Sequence, residues 1–155
     1  MKTVSDIMDS KAKVFNQIKP DALVIDALRL LNSVNLSYLV VVVGNDYKGI
    51  FGERDYARNV ILKGRASDST QVQEVMTSDL PIVAMGDSVE DCMTLMNQHK
   101  TRYLLAFDSS AFQGVVTIHD LLRQVIFAKQ DPYSISFANT TRDLLDYDES
   151  SDKIY

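Results

Sequence analysis

Apolar residues at Val24, Ala27, Leu28 and Leu31 follow the i, i+3, i+4, i+7 spacing of one helical face. The run "YLVVVV" at 38–43 then predicts a strand, and its unbroken apolar character suggests burial on both faces. A polar turn, "GNDYKG", leads into a second strand and to a helix starting near Glu53. The same order returns downstream. Val89, Cys92, Met93 and Met96 repeat the helical face, and Ser88 with Asp91 has capping-box spacing at its start. "YLLAF" repeats the strand, "DSSAFQG" the turn, and a helix follows near Ile118.

The recurrence is an internal duplication. Residues 18–61 align with 83–126 at a constant offset of 65 without a gap, and 11 of 44 positions are identical. Among the identities are Tyr38/Tyr103, Gly49/Gly114, Asp55/Asp120 and Arg58/Arg123. Upstream, "SDIM" at 5–8 matches "QEVM" at 73–76. Each copy therefore reads β-α-β-β-α. A three-stranded sheet with two helices on one face cannot hide its other face alone. The expected fold is α+β, two such repeats packed sheet to sheet about a pseudo-twofold axis. The period sets the expected units at 1–63 and 73–130, with a polar connector at 64–72. An acidic tail at 131–155 lacks the pattern; from Arg142 onward it has five acids against two bases. It is expected to be a solvated tail, the alternative being docking through Leu144, Leu145 and Tyr147.

Composition narrows the function classes. An apolar content of 46% with 24% charged residues is that of a globular protein. The net charge of −5 argues against nucleic acid as a partner. No apolar run approaches a membrane span, and no secretory signal is read at the N-terminus. The single cysteine, Cys92, excludes an internal disulfide and fits a cytoplasmic protein. No nucleophile elbow, phosphate loop or Cys/His dyad is present, and the two histidines do not make a metal triad, so neither catalysis nor a metal is expected.

Two β-α-β-β-α copies, each closing with Gly-apolar-apolar-x-x-x-Asp at a strand-to-helix step, resemble a pair of CBS domains, a Bateman module. The runs "PDALVIDALRLL", "GIFGERDYARNVILKGR", "VQEVMT" and "GVVTIHDLLRQVI" are similar to the small stand-alone bacterial CBS-pair proteins, over roughly residues 3–128. The resemblance implies an adenosine-containing ligand in clefts between repeats: AMP first, with ADP, ATP, NAD(H) and S-adenosylmethionine as others. It also implies a homodimer that reports ligand state, energy or redox, to a protein partner. The alternative is an interaction module with vestigial clefts.

The family pattern, Gly-apolar-x-[Ser/Thr]-x-x-Asp, puts the Asp on the ribose and the Ser/Thr on phosphate. Copy two keeps Gly114, Thr117 and Asp120; copy one keeps Gly49 and Asp55 but has Gly52 in the hydroxyl position. By the same resemblance, adenine contacts fall on Val14, Phe15 and Asn16 in copy one and on Leu80, Pro81 and Ile82 in copy two. Arg102 would reach phosphate; its counterpart is Ser37. The proline frequent in that strand is replaced by Val40 and Leu105. Removing the Asp120 carboxylate is expected to weaken nucleotide binding while leaving the fold largely intact.

Each residue also has a structural reading. Thr117 and Asp120 have capping-box spacing and need no ligand to explain them. Copy one, however, retains Asp55 without a capping hydroxyl, and a cap should need the hydroxyl more than the acid. That asymmetry favours a ligand role for the carboxylates, with copy two the better equipped. Gly52 is an acceptable N-cap that leaves backbone N–H groups open to phosphate. Arg58 and Arg123 follow their Asp at i+3, where a surface ion pair is the default, and Arg123 is kept as a site candidate. Arg54 is a cation in a first helical turn, against the helix dipole, which suggests a nearby anion. His119 either donates to phosphate or faces solvent. Tyr38 and Tyr103 either line a cleft or pack. Cys92, Met93 and Met96 belong to the core, and His99 ends a helix.

Overall fold

The computed structural model describes residues 2–11, 16–34 and 36–128. Val14 and Phe15 and the acidic tail lie outside the described residues. Helix α1 is Val4–Ser10; then come β1 Gln17–Ile18, α2 Val24–Val34, β2 Tyr38–Val43 and β3 Asp46–Gly52. The next helix opens as α3 Glu53–Asp55 and continues π-helically over Tyr56–Ile61. A short 3₁₀ turn, Val72–Glu74, precedes β4 Ile82–Ala84, α4 Val89–His99, β5 Tyr103–Asp108, β6 Ala111–Thr117 and α5 Ile118–Ala128. Each repeat thus has the order β-α-β-β-α, as the periodicity predicts. Among the described residues no helix is long and apolar enough to cross a membrane.

Each repeat builds a three-stranded sheet around its most apolar strand. In one the order is β1-β2-β3 and in the other β4-β5-β6, the first pair parallel and the second antiparallel. The registers coincide: Tyr38 faces Gly52 as Tyr103 faces Thr117, and the irregularity at Val41/Val42 recurs at Ala106/Phe107. Central position explains the unbroken apolar runs. Leu39 and Val41 enter one core with Phe51, while Val40, Val42 and Ile50 are buried as well. The helical faces behave as their spacing predicts. Val24, Ala27 and Leu31 are buried on α2, and Val89, Cys92, Met93 and Met96 on α4. Ser88 caps α4, its Oγ accepting from the Asp91 N–H at 3.0 Å. Burial pushes the Cys92 thiol up to about 12, so it is a core group rather than a nucleophile.

The compact units cut across the sequence repeats. One holds residues 14–79, and the other joins the N-terminal segment to the chain from Leu80 onward. Helix α1 opens the first repeat in sequence, yet its Val4 and Ile7 are buried with Val89, Met93, Leu104 and Val116 of the second. The Val4 N–H donates to Asp87 O and the Ser5 N–H to Met85 O, each at 2.9 Å. Conversely, Val72 and Val75, where the second repeat begins in sequence, pack with Val24, Leu31, Phe51 and Val60 of the first. Ile50 and Thr77 exchange both backbone hydrogen bonds at 2.8 Å. The aligned segments "SDIM" and "QEVM" are therefore exchanged leaders, each completing the core of the other repeat. Gly49 exists for this contact. A Cβ there would lie 2.7 Å from the Met76 Sδ and 2.9 Å from the Thr77 carbonyl oxygen.

Candidate functional site

The duplicated strand-to-helix step brings most of the predicted residues together within each unit. In the second repeat, Thr117 ends β6 and Asp120 stands one turn into α5. The Thr117 N–H donates to Asp120 Oδ2 at 2.8 Å, and the Asp120 N–H donates to Thr117 Oγ1 at 3.2 Å. This reciprocal pair is a capping box. Asp120 is only 4% exposed, but its charge is met by two cations. Lys11 Nζ donates to Asp120 Oδ2 at 2.8 Å and also to the Val115 carbonyl oxygen at 2.7 Å. Arg123 Nη2 donates to Asp120 Oδ1 at 3.1 Å, the i+3 pair expected from sequence. The Arg102 carbonyl oxygen accepts the Ile118 N–H at 3.0 Å, which sets Arg102 beside the start of α5. Tyr103 is the register partner of Thr117. His119 is exposed in the same turn.

The first repeat makes the equivalent step with different donors. The Gly52 N–H donates to Asp55 Oδ2 at 2.9 Å, and Thr77 Oγ1 donates to Asp55 Oδ1 at 2.6 Å. Burial raises the Asp55 carboxyl above its ordinary range, and the hydrogen bonds from Thr77 and Gly52 and the charges of Arg54 and Arg58 oppose that rise. The neighbouring Tyr47 phenol is also pushed up, chiefly by burial and then by the carboxylates of Asp79 and Asp55. A cleft of about 250 Å³ opens nearby, lined by Leu31, Asn32, Leu36, Ser37 and Glu53 rather than by Asp55 itself.

The geometry corrects the expectation that a cap needs the hydroxyl more than the acid. At both steps the carboxylate reaches back to the N-cap N–H, and this half of the capping box requires no N-cap side chain. Persistence of Asp55 beside Gly52 is therefore consistent with capping alone. The glycine has its own cause. A Cβ at Gly52 would lie 2.9 Å from the Ser37 carbonyl oxygen, closer than the backbone allows. Gly52→Thr, although it would install the residue of the second repeat, is expected to destabilise by about 1–3 kcal/mol. A denaturant midpoint equal to that of the wild type would overturn this.

Of the predicted adenine-facing residues, Ile82 opens the edge strand β4, and Leu80, Pro81 and Asn16 immediately precede β4 and β1. Ile82 opens β4 opposite Leu105, so Leu80 and Pro81 fall toward the Tyr103 and Thr117 end of their sheet. The Pro81 carbonyl oxygen accepts the Leu105 N–H, and the Asn16 carbonyl oxygen accepts the Val40 N–H, both at 2.9 Å. Ile82 is 61% exposed. Tyr38 is the register partner of Gly52, and Arg54 is half-buried in the first turn of α3. Val14 and Phe15 lie outside the described residues. Sequence reasoning missed Lys11 and Thr77, which belong to the exchanged leaders. The signal was the alignment of "SDIM" with "QEVM", which marks both leaders but not where they pack.

The CBS-domain family model matches residues 4–61 and again residues 72–126. The chain belongs to the CBS-domain family. The CBS domain-containing protein CBSX3, mitochondrial, of Arabidopsis thaliana is 32% identical over 133 residues, 80% of this chain. The chain spans 65% of that relative's length. A CBS-domain protein from Burkholderia ambifaria has a solved structure with a TM-score of 0.76 and 34% identity, covering 86% of this chain and 99% of its own. The structure of CBSX2 in complex with AMP has a TM-score of 0.66 and 25% identity, covering 82% of this chain and 98% of its own.

Proposed function

We propose that this CBS pair is a regulatory adenosine-nucleotide-binding protein, with AMP as its first ligand and ADP, ATP, NAD(H) and S-adenosylmethionine as the others of that class. One observation carries the reading: two carboxylates, Asp55 and Asp120, stand in the same register at a strand-to-helix step, each at the start of a helix whose dipole favours an anion. The AMP complex of CBSX2 supports the choice of ligand. The carboxylates would receive ribose hydroxyls. Thr117, Arg102 and Arg54 would meet phosphate, His119 and Arg123 would flank it, and Leu80, Pro81 and Ile82 would face adenine. The protein acts by binding, as a cytoplasmic homodimer that passes ligand state to a protein partner.

A second reading has an observation of its own. Lys11 and Arg123 already engage Asp120, as in an interaction module whose nucleotide sites are filled from within. A thermal-shift panel of AMP, ADP, ATP, NADH and S-adenosylmethionine separates the two. Ligand at one hundred times its dissociation constant stabilises the folded state by about 2.7 kcal/mol. A rise in Tm with at least one of the five is expected. A flat panel favours the interaction module.

A further inference from the structure

The two carboxylates differ in how much bonding capacity their neighbours have consumed. A carboxylate offers about four acceptor positions, two on each oxygen. On Asp55, one position of each oxygen is taken, by the Gly52 N–H and by Thr77 Oγ1. Counting contacts among the described residues, one remains on either oxygen, which is the arrangement a vicinal diol requires. On Asp120, Oδ2 holds both the Thr117 N–H and the Lys11 ammonium, and Oδ1 holds Arg123. Counting contacts among the described residues, a single position remains. A ribose that used both hydroxyls on Asp120 would have to displace a donor. The Thr117 N–H is fixed by the backbone, so the donor displaced is a side chain.

Lys11 is the stronger incumbent. It forms the C-cap of α1, and that helix is anchored by buried Val4 and Ile7 and by two backbone hydrogen bonds, from Val4 and Ser5 to Asp87 and Met85. The ammonium is bound twice, to Asp120 Oδ2 and to the Val115 carbonyl oxygen, and the side chain is 26% exposed. The Arg123 side chain is 64% exposed and makes one weaker contact with Asp120, so it can move aside into water. A hydroxyl that donates to a carboxylate also makes a charge-assisted bond, but the Lys11 ammonium adds the attraction of a full opposite charge at 2.8 Å from a nearly buried carboxylate. The neutral ribose hydroxyls lack that attraction and compete at a disadvantage for Oδ2.

We infer that Lys11 is an internal competitor for nucleotide at the second repeat and sets the affinity there, so that the first repeat fills first. This rests on the nucleotide reading above. It also reverses the ranking by composition, in which the second copy is the better equipped. If Asp120 is released from Lys11 about one tenth of the time, its apparent affinity is about tenfold below its intrinsic one.

The test is calorimetric titration of AMP into the full chain and into Lys11→Met, with reductive methylation of Lys11 in the wild type, followed by peptide mass spectrometry. Two binding steps are expected for the wild type. In K11M the weaker step should tighten about tenfold, and in the wild type AMP should increase methylation of Lys11. Equal AMP affinity in the two chains overturns the competition and leaves the nucleotide reading standing. Weaker binding by K11M, with AMP protecting Lys11, makes the lysine a ligand contact and overturns it as well. Absence of AMP binding by either chain defeats both readings. The methylation arm needs no variant, so an unstable K11M chain does not remove the test.

Discussion

A chain carrying Phe51→Ala is expected to lose about 3–5 kcal/mol of stability, which is a large part of what a small domain possesses. Phe51 is the largest fully buried side chain among the described residues. It lies on β3 opposite Leu39, and its core partners Val24, Ala27, Leu31, Val60, Val72 and Val75 come from three further segments. Truncation would leave a cavity between elements held by their own backbone hydrogen bonds, so collapse could fill it only in part. The following residue is Gly52, and Asp55 stands one turn later, so the same loss loosens the first strand-to-helix step. Chemical denaturation followed by circular dichroism reads the effect as a lower midpoint at an unchanged slope. A loss below about 1 kcal/mol would show that the site collapses freely and that the packing argument is wrong.

Asp120→Ala is expected to have two effects at once. Nucleotide affinity at the second repeat should fall, and stability should fall by about 1–3 kcal/mol because buried donors lose their acceptor. The sequence alone led to the milder expectation of a fold left largely intact. The structure changes that, because the carboxylate caps α5 through the Thr117 N–H and neutralises Lys11 as well. Lys11 can turn toward water, but the Thr117 N–H cannot. Asp120→Asn separates the contributions, since its amide oxygen can keep the cap while the charge is lost. Thermal denaturation together with AMP titration of both variants checks this. An Asp120→Ala chain that melts with the wild type would mean that the cap and ion pair contribute nothing. An unchanged second, weaker AMP-binding step in it would remove Asp120 from the ribose assignment.

The elements were legible because the chain states its pattern twice. Val24, Ala27 and Leu31 are confirmed by Val89, Cys92 and Met96, and a strand ambiguous in one copy is supported by the other. Asp55 and Asp120 could be placed at helix N-termini for the same reason. What could not be read depends on atoms far apart in sequence. The glycine at position 52 answers to the Ser37 carbonyl oxygen, whose position follows from strand pairing rather than from any local motif. Lys11 and Thr77 were missed because a repeat identifies equivalent segments without saying which copy each one packs upon. Capping and ligand binding ask for the same residues at the same spacing, so spacing alone could not divide Asp120 between them.

The exchange of leaders also imposes a schedule on synthesis. Lys11 precedes its partner Asp120 by 109 residues. At about 5–20 residues per second, roughly 5–22 s separate their appearance. For that interval Val4 and Ile7 have no native core to enter, whereas Val72 and Val75 emerge to find the first repeat's strands already made. The unit that contains the N-terminal helix is thus the one that must finish last, and until then its apolar leader is open to chaperones or to a neighbouring nascent chain.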